Sequence, residues 1–65
     1  MSIVTQILKA IFTASESGAQ ELCLIYTGGH DTFLEVERFA RLIHARATIL
    51  SCVGETVKFS FTKTF

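Results

Sequence analysis

Apolar residues near the start of the chain recur every three or four positions, which is the spacing of one face of an α-helix. They are Ile3, Val4, Ile7, Leu8, Ile11 and Phe12. A strand over the same segment is the alternative, but adjacent apolar pairs such as Ile7-Leu8 break the alternation that a strand needs. We therefore predict a helix from Ser2 to about Ala14. The segment 15–18 ends it, with Gly18 as the natural left-handed residue.

The segment Glu21 to Thr27 forms a predicted strand in which both faces are apolar. One face carries Leu22, Leu24 and Tyr26, and the other carries Cys23 and Ile25. Such a two-sided pattern is typical of a strand inside a sheet rather than at its edge. We therefore predict that this strand is central.

A second helix is predicted from Thr32 to about Ala45, after an interruption at residues 28–31. Thr32 followed by Glu35 matches the capping box, and Asp31 is the alternative N-cap. Acidic residues gather at the start of this helix and basic residues at its end, as the helix dipole favours.

Two more strands are predicted on either side of Gly54. The first, Ala47–Val53, has apolar residues on both faces, whereas the second, from Glu55 to about Lys63, alternates cleanly between apolar and polar residues. The element order is thus α-β-α-β-β. We predict a right-handed parallel crossover from the first strand to the second.

These elements favour one small two-layer α+β domain over residues 1–65. Its three-stranded mixed sheet would carry both helices on one face. The other face would then lack a cover, although two of the strands have apolar residues on both sides. A partner would cover it, and a second copy of the chain is the simplest partner to propose.

Length and charge exclude several functional classes. The chain has 65 residues and a mass of 7.2 kDa, which leaves little room for a deep substrate cleft. Six basic and six acidic residues cancel, so no net charge attracts nucleic acid or anionic lipid. No apolar run approaches the roughly 20 residues that span a bilayer. The mid-segment position of Lys9 argues against a signal peptide, and we expect a cytoplasmic protein.

The potential metal ligands and nucleophiles are few and widely spaced. Cys23 and Cys52 are predicted to be buried free thiols in a reducing compartment, with one disulfide between neighbouring strands as the alternative. His30 and His44 lie fourteen positions apart at the two ends of the second helix, and no ligand pair has zinc-site spacing. We therefore expect no metal, no cofactor and no enzymatic activity.

One segment resembles a ligand site. Gly28, Gly29, His30 and Thr32 lie at a strand-to-helix junction, where α/β proteins bind anions with backbone amides. The adjacent Asp31 would repel an anion. The alternative is a tight turn in which the glycines supply backbone freedom.

One side of the second helix resembles a contact surface. Leu34, Arg38, Arg41 and Leu42 lie off the face that Phe33, Val36, Phe39, Ala40 and Ile43 turn to the core. Arginine is enriched at interfaces, although singly exposed leucines are also ordinary. We therefore expect a small regulatory module that binds another protein and forms a homodimer.

Nucleic-acid binding is the alternative function. Residues 38–65 carry five bases against one acid, whereas residues 1–37 carry one base against five acids. The five bases are Arg38, Arg41, Arg46, Lys58 and Lys63. A stacking platform needs exposed aromatic rings beside these charges, but Phe59 and Phe61 alternate onto the face opposite Lys58.

Overall fold

A computed structural model describes residues 2–65 and contains two helices and three strands. The elements are α1 (Ile3–Glu16), β1 (Glu21–Gly28), α2 (His30–Leu42), β2 (Arg46–Val53) and β3 (Thr56–Thr64). This order confirms the predicted α-β-α-β-β sequence. It also confirms a helix, not a strand, near the start of the chain.

The sheet has the strand order β1-β3-β2, and β3 pairs antiparallel with both neighbours. The sheet formed by residues 2–65 is therefore antiparallel and not mixed as predicted, because both of its strand pairs involve β3 and are antiparallel. Strands β1 and β2 do run in the same direction, but β3 lies between them. The hairpin through Gly54 places β3 beside β2, and the other edge of β3 then pairs with β1.

The prediction that β1 is central is also wrong, because β1 forms one edge of the sheet. The central strand is β3, which has one apolar face and one polar face. A sheet covered by helices on only one side needs a single apolar face on its central strand. The apolar residues on both faces of β1 therefore do not reflect a central position in the monomer.

Both helices pack on one face of the sheet, as predicted, and enclose a small apolar core. Its buried members are Ile7, Phe33, Val36, Ala40, Val57, Phe59 and Phe61. The Phe33 ring meets the Phe59 ring edge-on, with centroids 5.4 Å apart. Helix α1 packs against α2 and β1, and α2 packs against β2 and β3.

Each helix ends in a left-handed residue followed by a backbone hydrogen bond to the last turn. After α1, Gly18 has φ 77°, and the Ala19 amide donates to the Ala14 carbonyl at 3.0 Å. This confirms the predicted stop at Gly18. After α2, His44 takes the same role with φ 58°, so that α2 ends at Leu42 rather than near Ala45.

Helix α2 begins at His30, two residues earlier than predicted. Its N-cap is Gly29, which makes no side-chain capping bond, so the predicted capping box at Thr32 is wrong. The reason is that β1 continues to Gly28, which leaves Gly29 as the only connecting residue. A Cβ atom on Gly28 would lie 3.1 Å from Cγ2 of Thr32, so the glycine permits a close approach of strand and helix.

Candidate interaction surfaces

The outward side of α2 carries the four residues that the sequence singled out. We call this surface the α2 face, and it consists of Leu34, Arg38, Arg41 and Leu42, all exposed. The Leu42 side chain is 80% exposed. Arg41 forms an ion pair with Glu37 (Nη2 to Oε1, 3.6 Å), but it contributes little stability because the Arg41 side chain is exposed. Two leucines and two arginines thus share one solvent-facing side of the helix.

Exposed apolar residues also lie on β2, which packs against α2. Because His30 contacts Cys52 of β2, and Leu34 lies one turn after His30, Leu34 is on the β2 side of α2. In β2, the pairing with β3 shifts between Ile49 and Ser51, which leaves Leu50 as an extra residue in a bulge. Ile49 and Leu50 are both about half exposed. Neither residue was predicted to belong to a contact surface, although the pattern of β2 has apolar residues on both faces.

The sheet face opposite the helices has no covering layer among the elements that the structure describes, in agreement with the prediction. We call it the open sheet face. Cross-strand pairing arranges its residues in rows across the three strands: Cys23, Thr62 and Arg46; Ile25, Ser60 and Thr48; Thr27, Lys58 and Ser51. Ile25 is 59% exposed there. The face is rich in hydroxyl groups, with an apolar position in β1.

Opposite charges lie on the two edges of the open sheet face, at the same end. Glu21 begins β1 and Arg46 begins β2, and these strands run in the same direction. The two side chains help to line one shallow cavity of about 330 Å³. Lys58 lies on the central strand toward the opposite end, where it pairs with Thr27 and Ser51.

The predicted anion-binding segment does not form an open loop. Residues 29–32 line a cavity of about 460 Å³ together with Glu55, while Gly28 completes β1. Two acidic residues, Asp31 and Glu55, are therefore among the residues that line this cavity. The backbone amides of the first turn of α2 remain as donors, but nothing in this arrangement favours an anion over water.

The five basic residues of the second half do not form one patch. Arg38 and Arg41 lie on α2, whereas Arg46 and Lys58 lie on the open sheet face in the other layer. Lys63 is engaged in the fold, since its Nζ donates a 2.9 Å hydrogen bond to the Ile43 carbonyl. No continuous basic track connects the five side chains.

Both cysteines are exposed and unbridged, so the prediction of buried thiols is wrong. Cys23 is exposed because it lies on the uncovered open sheet face, and a bridge between β1 and β2 is precluded because β3 separates them. Cys52 Sγ lies 3.7 Å from Nε2 of His30. This contact could not be predicted from the sequence, because the two residues are 22 positions apart.

Within residues 2–65, no three side chains of His, Cys, Asp or Glu come together as a metal site would require. No helix in this part of the chain is long and apolar enough to cross a membrane. Comparison of the chain with protein-family models, with curated proteins and with solved structures found no match.

Proposed function

We propose that this chain is a non-enzymatic protein-interaction module that forms a homodimer and binds another protein through the α2 face. The observation that carries the proposal is the exposure of Leu34 and Leu42 beside two arginines on one rigid helix. Apolar anchors rimmed by arginine are a common composition of protein interfaces. The matching partner surface has an apolar centre and carboxylates around it.

The homodimer is proposed at the open sheet face. A two-fold axis parallel to the strands brings each Glu21 opposite the partner subunit's Arg46. The two charges meet in this way because Glu21 and Arg46 lie at the same end of the open sheet face but on its opposite edges. The same axis brings the two Lys58 side chains together, which opposes association.

The size of the open sheet face predicts a weak dimer. Three strands of eight or nine residues present roughly 400 Å² per copy at normal strand spacing. A standard interface buries about 800 Å² per partner. The dimer is therefore expected to exchange with monomer at micromolar concentration, which suits a module whose second surface binds another protein.

Nucleic-acid binding is less well supported as a function. Lys63 is committed to a hydrogen bond within the fold, and the remaining four bases are divided between two layers. The aromatic rings that stacking would require, Phe59 and Phe61, are buried under the helices. Fluorescence anisotropy with mixed RNA and DNA oligonucleotides at low salt is expected to show no binding. A saturable rise would favour this alternative.

Proteins that co-purify with the untagged chain test the proposed docking surface. We expect the double variant Leu34→Asp, Leu42→Asp to lose a protein that the wild type retains, because carboxylates would replace the apolar anchors. Its melting temperature should stay unchanged, since both side chains are exposed. The matched control is Thr5→Asp, Thr13→Asp, which adds the same charge to exposed positions of α1. Equal recovery of the protein with both double variants would contradict the proposal.

A further inference from the structure

We propose that Cys52 is a thiol-modification site, at which His30 accepts the thiol proton and the sulfur exchanges with low-molecular-weight disulfides. This inference does not depend on the proposed function. It concerns a pair of side chains on β2 and α2, a nucleophile and a base that the fold brings together from distant positions in the sequence.

The geometry of the pair is set by regular secondary structure. Cys52 pairs with the buried Val57 across the sheet, so its side chain lies on the helix-covered side, beside the first residue of α2. There Sγ is 3.7 Å from His30 Nε2 and 3.7 Å from the Gly54 carbonyl oxygen. The thiol thus has an imidazole and a carbonyl within reach as acceptors for its proton.

The surroundings leave room for a small reagent. Both Cys52 and His30 are exposed, and His30 also lines the cavity of about 460 Å³ at the start of α2. Asp31 and Glu55 also line this cavity, and both are exposed to solvent.

The exchange balances without any further oxidant. The Cys52 thiol gives its proton to Nε2 of His30, and the resulting thiolate attacks one sulfur of the incoming disulfide. A new S–S bond forms to Cys52 as the old S–S bond breaks. The released thiolate then takes the proton from the imidazolium and leaves as a free thiol.

Cys23 provides an internal reference in the same chain. It is also exposed, but it lies on the open sheet face opposite Thr62, in a row that contains no imidazole. The rate at Cys23 should therefore not depend on His30. This makes the role of the imidazole measurable separately from general accessibility.

The test uses the full chain with glutathione disulfide at pH 7, quenched with acid and mapped by peptide mass spectrometry. We expect His30→Gln to slow mixed-disulfide formation at Cys52 about five-fold, because the proton acceptor beside the sulfur is lost. The rate at Cys23 should be the same in both proteins. His44→Asn is the matched control, since it removes the other imidazole and asparagine tolerates a left-handed backbone.

An unchanged Cys52 rate in His30→Gln would overturn the proposal, as would an equal loss in His44→Asn. If His30→Gln perturbed the fold, the rate at Cys23 would change as well. The decisive comparison is then within the dilute wild-type monomer, where Cys52 should react several-fold faster than Cys23. Equal rates there would also overturn the proposal.

Discussion

Lys63 on the central strand donates a 2.9 Å hydrogen bond from Nζ to the backbone carbonyl of Ile43, just past the end of α2. The carbonyls of a last helical turn lack partners within the helix and carry the negative end of its dipole. A partly buried ammonium group satisfies one of them here. The hydrogen bond also connects the C-terminal part of β3 to the C-terminal end of α2.

Replacing Lys63 should therefore destabilise the fold. We expect Lys63→Met to lower the free energy of unfolding by about 1 kcal/mol, since the apolar stem remains but the charged donor is lost. Urea denaturation followed by circular dichroism measures this change. Lys58→Met on the same strand is the control, because Lys58 is exposed on the open sheet face. A similar loss in both variants would contradict the role given to the Lys63 hydrogen bond.

His44 holds the left-handed position after α2 that Gly18 holds after α1. In this conformation a residue with a Cβ atom destabilises the folded state by roughly 1–2 kcal/mol relative to glycine. Part of this cost is offset, because a chain without glycine at this position has a lower conformational entropy when unfolded. We expect His44→Gly to raise the free energy of unfolding by about 0.5–1 kcal/mol. His44→Ala, which keeps the Cβ atom, should show no gain. A gain of the same size in both variants would indicate another cause.

Phe59 lies at the centre of the core, fully buried between Tyr26 and Phe33. Truncation of a buried phenylalanine to alanine costs about 3–5 kcal/mol, which approaches the whole stability of a domain this small. We expect Phe59→Ala to abolish cooperative thermal unfolding. Phe65→Ala should keep a cooperative transition, because that ring is 43% exposed. A sharp transition in Phe59→Ala near the wild-type temperature would contradict this view of the core.

Gly29 is the N-cap of α2 and makes no side-chain capping bond. Its backbone is extended, with φ −79°, and a Cβ atom there would meet open space. We expect Gly29→Ser to stabilise the protein by a few tenths of a kcal/mol, because the hydroxyl can accept from a free amide of the first turn. Gly29→Ala should instead destabilise it. Thermal melts of the two variants should therefore shift in opposite directions from the wild type.

The sequence was sufficient to predict the elements and most of the core. Residues at helical spacing in α2 became buried where expected, as Phe33, Val36 and Ala40 show. The same spacing placed Leu34 and Leu42 on the exposed side. The buried and the exposed positions of α2 were both predicted correctly because the period of a helix depends only on local backbone geometry.

The order of the strands in the sheet could not be predicted from the hydrophobic pattern of the sequence. Apolar residues on both faces of β1 predicted a central strand, but the pairing of β3 with both neighbours is set by tertiary packing. The exposure of Cys23 and the contact between His30 and Cys52 depend on that topology, so neither was predicted. The end of α2 also differed from the predicted one. A left-handed backbone is uncommon in residues other than glycine, so the sequence did not indicate it at His44.

The proposed dimer makes Lys58 the one unfavourable charge near its two-fold axis. We expect Lys58→Thr to strengthen self-association, since removing the repulsion leaves a hydroxyl group like those around it. Sedimentation velocity over a series of concentrations gives the dissociation constant. Lys9→Thr on α1 removes the same charge away from the open sheet face and is the control. A stronger dimer in both variants would point to net charge rather than to this interface.

Native mass spectrometry of the untagged protein, gently purified from the cells that make it, tests the central proposal most directly. We expect a species at twice the chain mass, alone or with a second protein, and its loss in Ile25→Lys, which places a charge on the open sheet face. The control Thr13→Lys on α1 should keep the dimer. A single-chain mass at every concentration, or a species carrying nucleic acid, would contradict the account of a homodimeric protein-interaction module.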